Sequence, residues 1–158
     1  MQNETFVTMV VTAWQKENKR LDDMIAKLSD EQWRSDTAHG RNSGIYLLGH
    51  LTAVNDGILV LLGFGERLHP ELENIFLAHA DKAGLAMPSL DELKKYWKEI
   101  NAKLDEHIAK MSAADWFTKH SAVSAEDFAK EPHRNKLNIL LTRTVHQSYH
   151  LGQLAYLG

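Results

Sequence analysis

The segment SGIYLLGHLTAVNDGILVLLG, residues 43–63, is the strongest indication of fold class in this chain of 158 residues. Its apolar side chains recur at spacings of three and four, which predicts an α-helix. They are Ile45, Leu48, Leu51, Val54, Ile58, Leu61 and Leu62. Because these side chains cover a wide arc of the helix surface, we expect this helix to lie at the centre of the protein.

Three further long segments are predicted to be helical. They are residues 4–28, 89–111 and 136–157. The prolines fall between the long segments, where they interrupt loops rather than helices; they are Pro70, Pro88 and Pro132. No segment alternates strictly between apolar and polar residues over the length of a strand, so the sequence predicts an all-α fold.

The lengths of these segments favour a four-helix bundle that forms a single domain, residues 1–158. Each helix of about 20 residues is about 30 Å long. The two long connections, residues 64–88 and 112–135, can each extend about 80 Å. Either connection can therefore return along the whole bundle. We expect the second and third predicted helices to run parallel, with the fourth lying beside the second.

A short internal echo also appears in the sequence. LSDEQW, residues 28–33, precedes RNS and the second predicted helix, and MSAADW, residues 111–116, precedes RNK and the fourth. The sequences SDEQ and SLDE, which begin at Ser29 and Ser89, have the form of capping boxes and predict helix starts. Two copies of a helix-pair unit would give this pattern.

The composition excludes several classes of function. The chain has 18 Lys and Arg against 21 Asp and Glu and no cysteine. We therefore expect no nucleic-acid partner, no disulfide framework and no thiolate metal site. The N-terminus has no basic region before its apolar residues, and the apolar run 58–62 is far too short to span a membrane. These features favour a cytoplasmic protein without a membrane partner.

Two histidines near the end of the chain, in HQSYHLGQL, suggest a metal site. His146 and His150 stand at positions i and i+4 of a predicted helix, so their rings share one face and can bind one ion. A catalytic site normally needs a third protein ligand. His50 is the best candidate, and His107 is a reserve. The alternative is a pair of partly buried histidines satisfied by neighbouring polar groups.

Three other residues are candidates for the lining of a pocket around these histidines. Gln153 shares the face of His146 and His150, and Tyr46 precedes His50 by one turn. Glu17 interrupts the apolar stripe of the first helix together with Asn18. Glu17 would act as a base or orient an imidazole. The alternatives are a solvated Glu17, a Gln153 that caps a helix or bonds another helix, and a Tyr46 that belongs to the core.

The chain resembles the DinB-like superfamily. The resemblance rests on GRNSGIYLLGHL in the second predicted helix and HQSYHLGQL in the fourth. It implies an up-down-down-up four-helix bundle with a long crossover connection, often a homodimer. It also implies a zinc or nickel ion held by His50, His146 and His150. Members of this family include thiol-dependent transferases and isomerases, and many proteins without a known reaction.

A site with three neutral imidazoles and an open position favours one of two reactions on a small molecule. Water bound to such an ion has a pKa near 7, which would support a hydrolase. A bound thiolate would support a thiol-dependent transferase, and the thiol would be a low-molecular-weight cosubstrate because the chain has no cysteine. The alternative is a helical bundle that binds a ligand or a partner without catalysis.

Overall fold

The computed structural model describes residues 2–158, so Met1 lies outside the described residues. In chain order the helices are α1 (Gln2–Lys27), α2 (Asp30–Arg34), α3 (Gly44–Leu62), α4 (Glu71–Phe76), α5 (Leu90–Ile108), α6 (Ala113–Trp116), α7 (Ala125–Lys130) and α8 (Lys136–Leu154), followed by a 3₁₀ turn, Ala155–Leu157. Residues 2–158 contain no strand, only two isolated β-bridges. The prediction of an all-α helical bundle is confirmed.

Local side chains set the limits of the central helix, α3. The hydroxyl of Ser43 accepts a hydrogen bond from the backbone N–H of Tyr46, which caps the first turn. Gly63 ends the helix with a φ of 76°, a left-handed conformation that favours glycine. The predicted capping boxes at Ser29 and Ser89 also form, and they start α2 and α5.

Four long helices surround two apolar clusters, one toward each end of the bundle. Helix α1 packs against α8, and α3 packs against both α5 and α8. One cluster joins the C-terminal parts of α1 and α8 to the N-terminal parts of α3 and α5, and includes Leu21, Leu47, Leu93 and Leu151. The other joins the opposite parts of the same helices, and includes Trp14, Leu59, Leu104 and Leu140. Helix α3 thus lies between α5 and α8.

Helix α3 is long and apolar enough to cross a bilayer, but most of its surface is buried inside the protein. Fifteen of its 19 residues are buried in the interior of the protein. A mostly buried apolar helix is what the core of a soluble bundle requires. The burial of α3 is therefore that of a core helix.

The two segments of the sequence echo form the same local structure. Ser29 caps α2 and Ser112 caps α6, each through a capping box. Trp33 and Trp116 are both buried. Each segment is followed by an isolated β-bridge, Asp36 with Ser43 in one case and residue 119 with residue 135 in the other. In each unit the second residue of the bridge, Ser43 or Asn135, caps a helix that carries a candidate metal ligand, α3 or α8.

Candidate metal centre

Helices α3 and α8 bring His50, His146 and His150 together; we call these three residues the histidine cluster. The Nε2 atom of His146 lies 3.2 Å from Nε2 of His50 and 3.0 Å from Nε2 of His150. The three rings meet edge to face, with centroids 4.6–5.1 Å apart. The reserve candidate His107 lies elsewhere, stacked on Phe64 with ring centroids 4.8 Å apart.

The orientation of His50 is set from α4. Its Nδ1–H donates to the backbone carbonyl of Phe76 at 2.9 Å, which leaves the Nε2 lone pair facing the other two rings. Gly49 makes this contact possible, because a Cβ at that position would lie 2.3 Å from the Phe76 ring. Tyr46 stacks on His50, with ring centroids 6.3 Å apart, and donates its hydroxyl to the carbonyl of His79 at 2.7 Å.

Gln153 fixes His150 in the same way. The Nδ1–H of His150 donates to Oε1 of Gln153 at 2.7 Å, so Nε2 again keeps its lone pair for the cluster. Gln153 follows His150 by three residues on α8, so both lie on one helix face. The structure therefore places this predicted pocket residue behind a metal-ligand candidate rather than directly among the three Nε2 atoms.

His146 differs from the other two histidines. Its Nδ1 atom is buried, and none of the atoms in residues 2–158 forms a hydrogen bond with it. No neighbour therefore selects one tautomer of this ring. His146 can carry its proton on Nε2 and donate to a neighbouring ring, or carry it on Nδ1 and offer Nε2 to an ion.

The donor set fits a single divalent ion better than it fits three unliganded rings. Two of the three Nε2 atoms are held as acceptors, and lone pairs that point at one another repel. With M–N bonds of about 2.05 Å, the two Nε2 distances correspond to N–M–N angles of about 94° and 103°. These angles lie between octahedral and tetrahedral values. The three histidines could therefore hold a metal ion.

The surroundings keep the cluster neutral. Burial is the main cause that lowers the pKa of all three histidines, and it lowers the pKa of His146 to about 4. The positive charge of Arg143 also lowers the pKa values of His50 and His146. Imidazole binds a metal only in its neutral form. All three rings are therefore in the ligating form at neutral pH.

The structure places Glu17 apart from these contacts. Its carboxylate pairs with Arg20 of the same helix at 2.7 Å, and none of the hydrogen bonds described for residues 2–158 joins it to a histidine. The neighbouring Asn18 is the residue that turns into the core, where it is 8% exposed. The break in the apolar stripe of α1 thus has a structural explanation at Asn18, and a role for Glu17 in the pocket stays a prediction.

Asn18 belongs to a buried amide network that joins all four long helices. Oδ1 of Asn101 accepts from Nδ2 of Asn18 at 3.2 Å and from Nδ2 of Asn55 at 3.0 Å. Nε2 of Gln147 donates to Oδ1 of Asn18 at 2.9 Å, and Nδ2 of Asn101 donates to the carbonyl of Trp97. Sequence reasoning missed three of these four amides, because only Asn18 interrupts an apolar stripe.

A cavity of about 580 Å³ adjoins the histidine cluster between α3 and α8. His50 and His146 form part of its wall, together with apolar side chains. Its charged residues are Arg67, Glu73 and Arg143. Nε of Arg67 pairs with the Glu73 carboxylate at 2.9 Å, and its Nη1 donates to the carbonyl of Ala53. Sequence reasoning missed Arg143, although it precedes His146 by three residues on the same helix.

A comparison with known families agrees with this geometry. The model of the DinB superfamily matches residues 13–154, which include all three histidines, the whole of α3, α5 and α8, and the C-terminal part of α1. No curated protein matches the chain. Since the family match covers most of the chain and both helices that carry the histidine cluster, this protein belongs to the DinB superfamily.

Proposed function

We propose that this protein is a metal-dependent enzyme in which the histidine cluster holds one zinc or nickel ion beside the cavity. The proposal is carried by the convergence of three Nε2 atoms at distances that suit one ion. The reaction we propose is hydrolysis or thiol-dependent transfer on a small molecule. Three protein ligands are typical of catalytic zinc sites, whereas structural sites usually have four.

The residues around the cluster have distinct roles in this proposal. The carbonyl of Phe76 and the amide of Gln153 hold His50 and His150 with Nε2 toward the site. Tyr46 positions His50 rather than reacting, because its hydroxyl is bonded to a carbonyl and burial raises its pKa. When bound, the divalent ion supplies a Lewis acid that lowers the pKa of a water or a thiol in its open position.

The proposal extends to the direction of the long helices and to the compartment. The apolar cluster shared by the C-terminal parts of α1 and α8 and the N-terminal parts of α3 and α5 supports an up-down-down-up order. This order also brings His50 of α3 level with His146 and His150 of α8. The absence of cysteine from the sequence supports a reducing, cytoplasmic location.

We also propose a homodimer formed through the outer face of α8. Leu141, Val145 and Tyr149 recur every four residues on this face, and Val145 and Tyr149 are 63% and 65% exposed. Apolar side chains aligned in this way favour association. Sedimentation equilibrium should show a dimer for the wild type and a monomer for Val145→Lys; a monomeric wild type would contradict the proposal.

The metal site is tested first, by titration of zinc or nickel into stripped protein that carries no His-tag. We expect one ion per chain. His50→Ala, His146→Ala and His150→Ala should each weaken binding by at least about 100-fold, more than the 10–100-fold that is usual for residues behind a ligand. His69→Ala is the matched control, because its ring stacks on Tyr96 and pairs with Glu99. Equal affinity in the wild type and all three variants would disprove the site.

The reaction is tested next, with zinc- and nickel-loaded protein. Panels of esters, amides and phosphoesters test hydrolysis, and electrophilic small molecules offered with and without a free low-molecular-weight thiol test transfer. Activity that requires the thiol would exclude the hydrolase, and activity without it would exclude the thiol-dependent transferase. A fully metallated protein that is inactive in both panels would favour the non-catalytic bundle.

A further inference from the structure

Arg143 is the charged residue of the cavity that lacks a protein partner. Its guanidinium forms no hydrogen bond or ion pair with any of residues 2–158, and its Nε atom is buried. The side chain is half-buried, and burial alone lowers its pKa. A guanidinium in this state loses water contacts without gaining a carboxylate in return, which is unfavourable unless a ligand supplies one.

The other arginine of the cavity shows what a satisfied guanidinium looks like in the same place. Arg67 is neutralised by Glu73 and bonded to the carbonyl of Ala53. Its position is fixed because Asp56 accepts hydrogen bonds from the backbone N–H groups that follow it, those of Leu68 and His69. Glu73 is the cavity's carboxylate and is committed to Arg67. The positive charge of Arg143 therefore has no counter-charge among the residues that line the cavity.

Arg143 also lies on the same side of α8 as the histidine cluster. It precedes His146 by three residues and His150 by seven, and these spacings share one helix face. Arg143 and His146 both line the cavity, and His50 faces them from α3. An ion in the cluster would add two positive charges to this wall.

We propose that Arg143 binds an anionic oxygen group of the substrate, a carboxylate or a phosphate, while another part of the same molecule reaches the open position of the metal site. The inference rests on the proposed function, since it assigns a substrate class to that site. The planar guanidinium forms paired hydrogen bonds with either group, which is why both are included. A neutral or cationic molecule would leave Arg143 without a partner.

The test uses small probes and zinc-loaded protein, with binding measured by calorimetry. The thiol probes are 3-mercaptopropionate, which carries a carboxylate, 2-mercaptoethanol, which is neutral, and cysteamine, which is cationic. We expect the wild type to bind 3-mercaptopropionate at least about tenfold more tightly than 2-mercaptoethanol, and cysteamine least tightly. Inorganic phosphate is measured in parallel, so that the two anionic groups are distinguished.

If the substrate carries a carboxylate, Arg143→Met should abolish the preference for the anionic thiol. If the substrate carries a phosphate, Arg143→Met should weaken the binding of inorganic phosphate at least about tenfold. The matched control is Arg134→Met, which removes the same charge from an exposed pair with Glu131. If Arg143→Met unfolds, Arg143→Lys keeps the charge but loses the planar fork, and it should weaken the preference only in part.

Zinc titration distinguishes failure of the metal site from failure of the role that we propose for Arg143. Arg143→Met should bind zinc as tightly as the wild type or more tightly, because it removes a neighbouring positive charge. If zinc binds and the anion preference is the same in the wild type and Arg143→Met, the role of Arg143 is overturned while the metal site stands. If the wild type binds no zinc, the proposed function fails and this inference fails with it.

Discussion

The amide network, buried among all four long helices, and the histidine cluster, half-buried between α3 and α8, satisfy their polar atoms in opposite ways. Each amide carries both donors and an acceptor, so the amides bond one another, and the fully buried atom among them without a partner is Oε1 of Gln147. The histidine cluster instead turns acceptor atoms toward one another. A network of paired donors and acceptors stabilises the fold, whereas in the cluster only Nε2 of His146 is free to carry a proton, and a bound cation would be shared by all three rings.

The two groups are close neighbours, which makes the contrast sharper. Gln147 of the network directly follows His146 of the cluster on α8, and successive residues of a helix point in different directions. Gln147 is 1% exposed and faces α1, whereas His146 faces α3 and the cavity. One turn of α8 therefore contributes His146 to the candidate metal site and Gln147 to the amide network that stabilises the fold.

The largest effect we expect from the contrast is on stability, from Asn101→Leu. This change leaves the donors of Asn18 and Asn55 buried without an acceptor. Each such donor costs about 1–3 kcal/mol, so the free energy of unfolding should fall by about 2–6 kcal/mol. Urea denaturation measures the loss, and zinc titration of the same variant should give an affinity within about twofold of the wild type.

Asn74→Leu is the control for this change, because Asn74 is exposed on α4 and belongs to neither group. It should shift the free energy of unfolding by no more than about 0.5 kcal/mol. A loss of zinc affinity in Asn101→Leu as large as in a histidine variant would show that the two groups act as one unit.

The sequence predicts the long helices and the histidine trio because both depend on spacing along the chain. An apolar repeat defines a helix face, and His146 and His150 share a face wherever the helix lies. The partners of these faces depend on tertiary packing. Asn55 and Asn101 have no distinguishing pattern in the sequence, and their hydrogen bond forms only because α3 packs on α5. The sequence also does not show that Glu73 pairs with Arg67, which leaves Arg143 without a counter-charge.

The second prediction concerns the group behind the cluster. Gln153→Ala removes the acceptor of the His150 Nδ1–H, so that ring is free to turn and to change tautomer. We expect zinc affinity to fall about 10–100-fold. Gln153→Glu keeps an acceptor and should bind zinc at least as tightly as the wild type. Gln15→Ala, on the exposed face of α1, is the matched control and should have no effect.

This prediction separates positioning from packing. If Gln153 served only the packing of α8, then Gln153→Ala and Gln153→Glu would lose zinc affinity together, in proportion to any loss of thermal stability. A variant that melts like the wild type but binds zinc less tightly supports the positioning role. Equal zinc affinity in the alanine variant and the wild type would contradict it.

The smallest effect we expect is the part of the pH dependence of stability that the histidine cluster contributes. In metal-free protein the pKa values of all three histidines lie below their ordinary value of about 6.5, that of His146 at about 4. The unfolded chain therefore takes up protons before the folded protein does. The contribution of these rings to the free energy of unfolding should be complete above about pH 6.5 and should decline as the pH falls from there toward 4. The loss should be smaller than that of Asn101→Leu, because solvent reaches these half-buried rings and screens them.

Urea denaturation with a chelator at about pH 7.5, 6.5, 5.5 and 4.5 would give the free energy of unfolding as a function of pH. His146→Leu should flatten the curve, because it removes the ring whose pKa lies at about 4, lowered by burial and by the charges of His150 and His50. His120, whose pKa is also lowered by burial, remains in both proteins and gives the common background. Asn101→Leu should lower the whole curve without changing its slope, since amides do not titrate. An equal slope in the wild type and His146→Leu would mean that the three rings are not buried as a neutral cluster, and the contrast between the two polar groups would then be wrong.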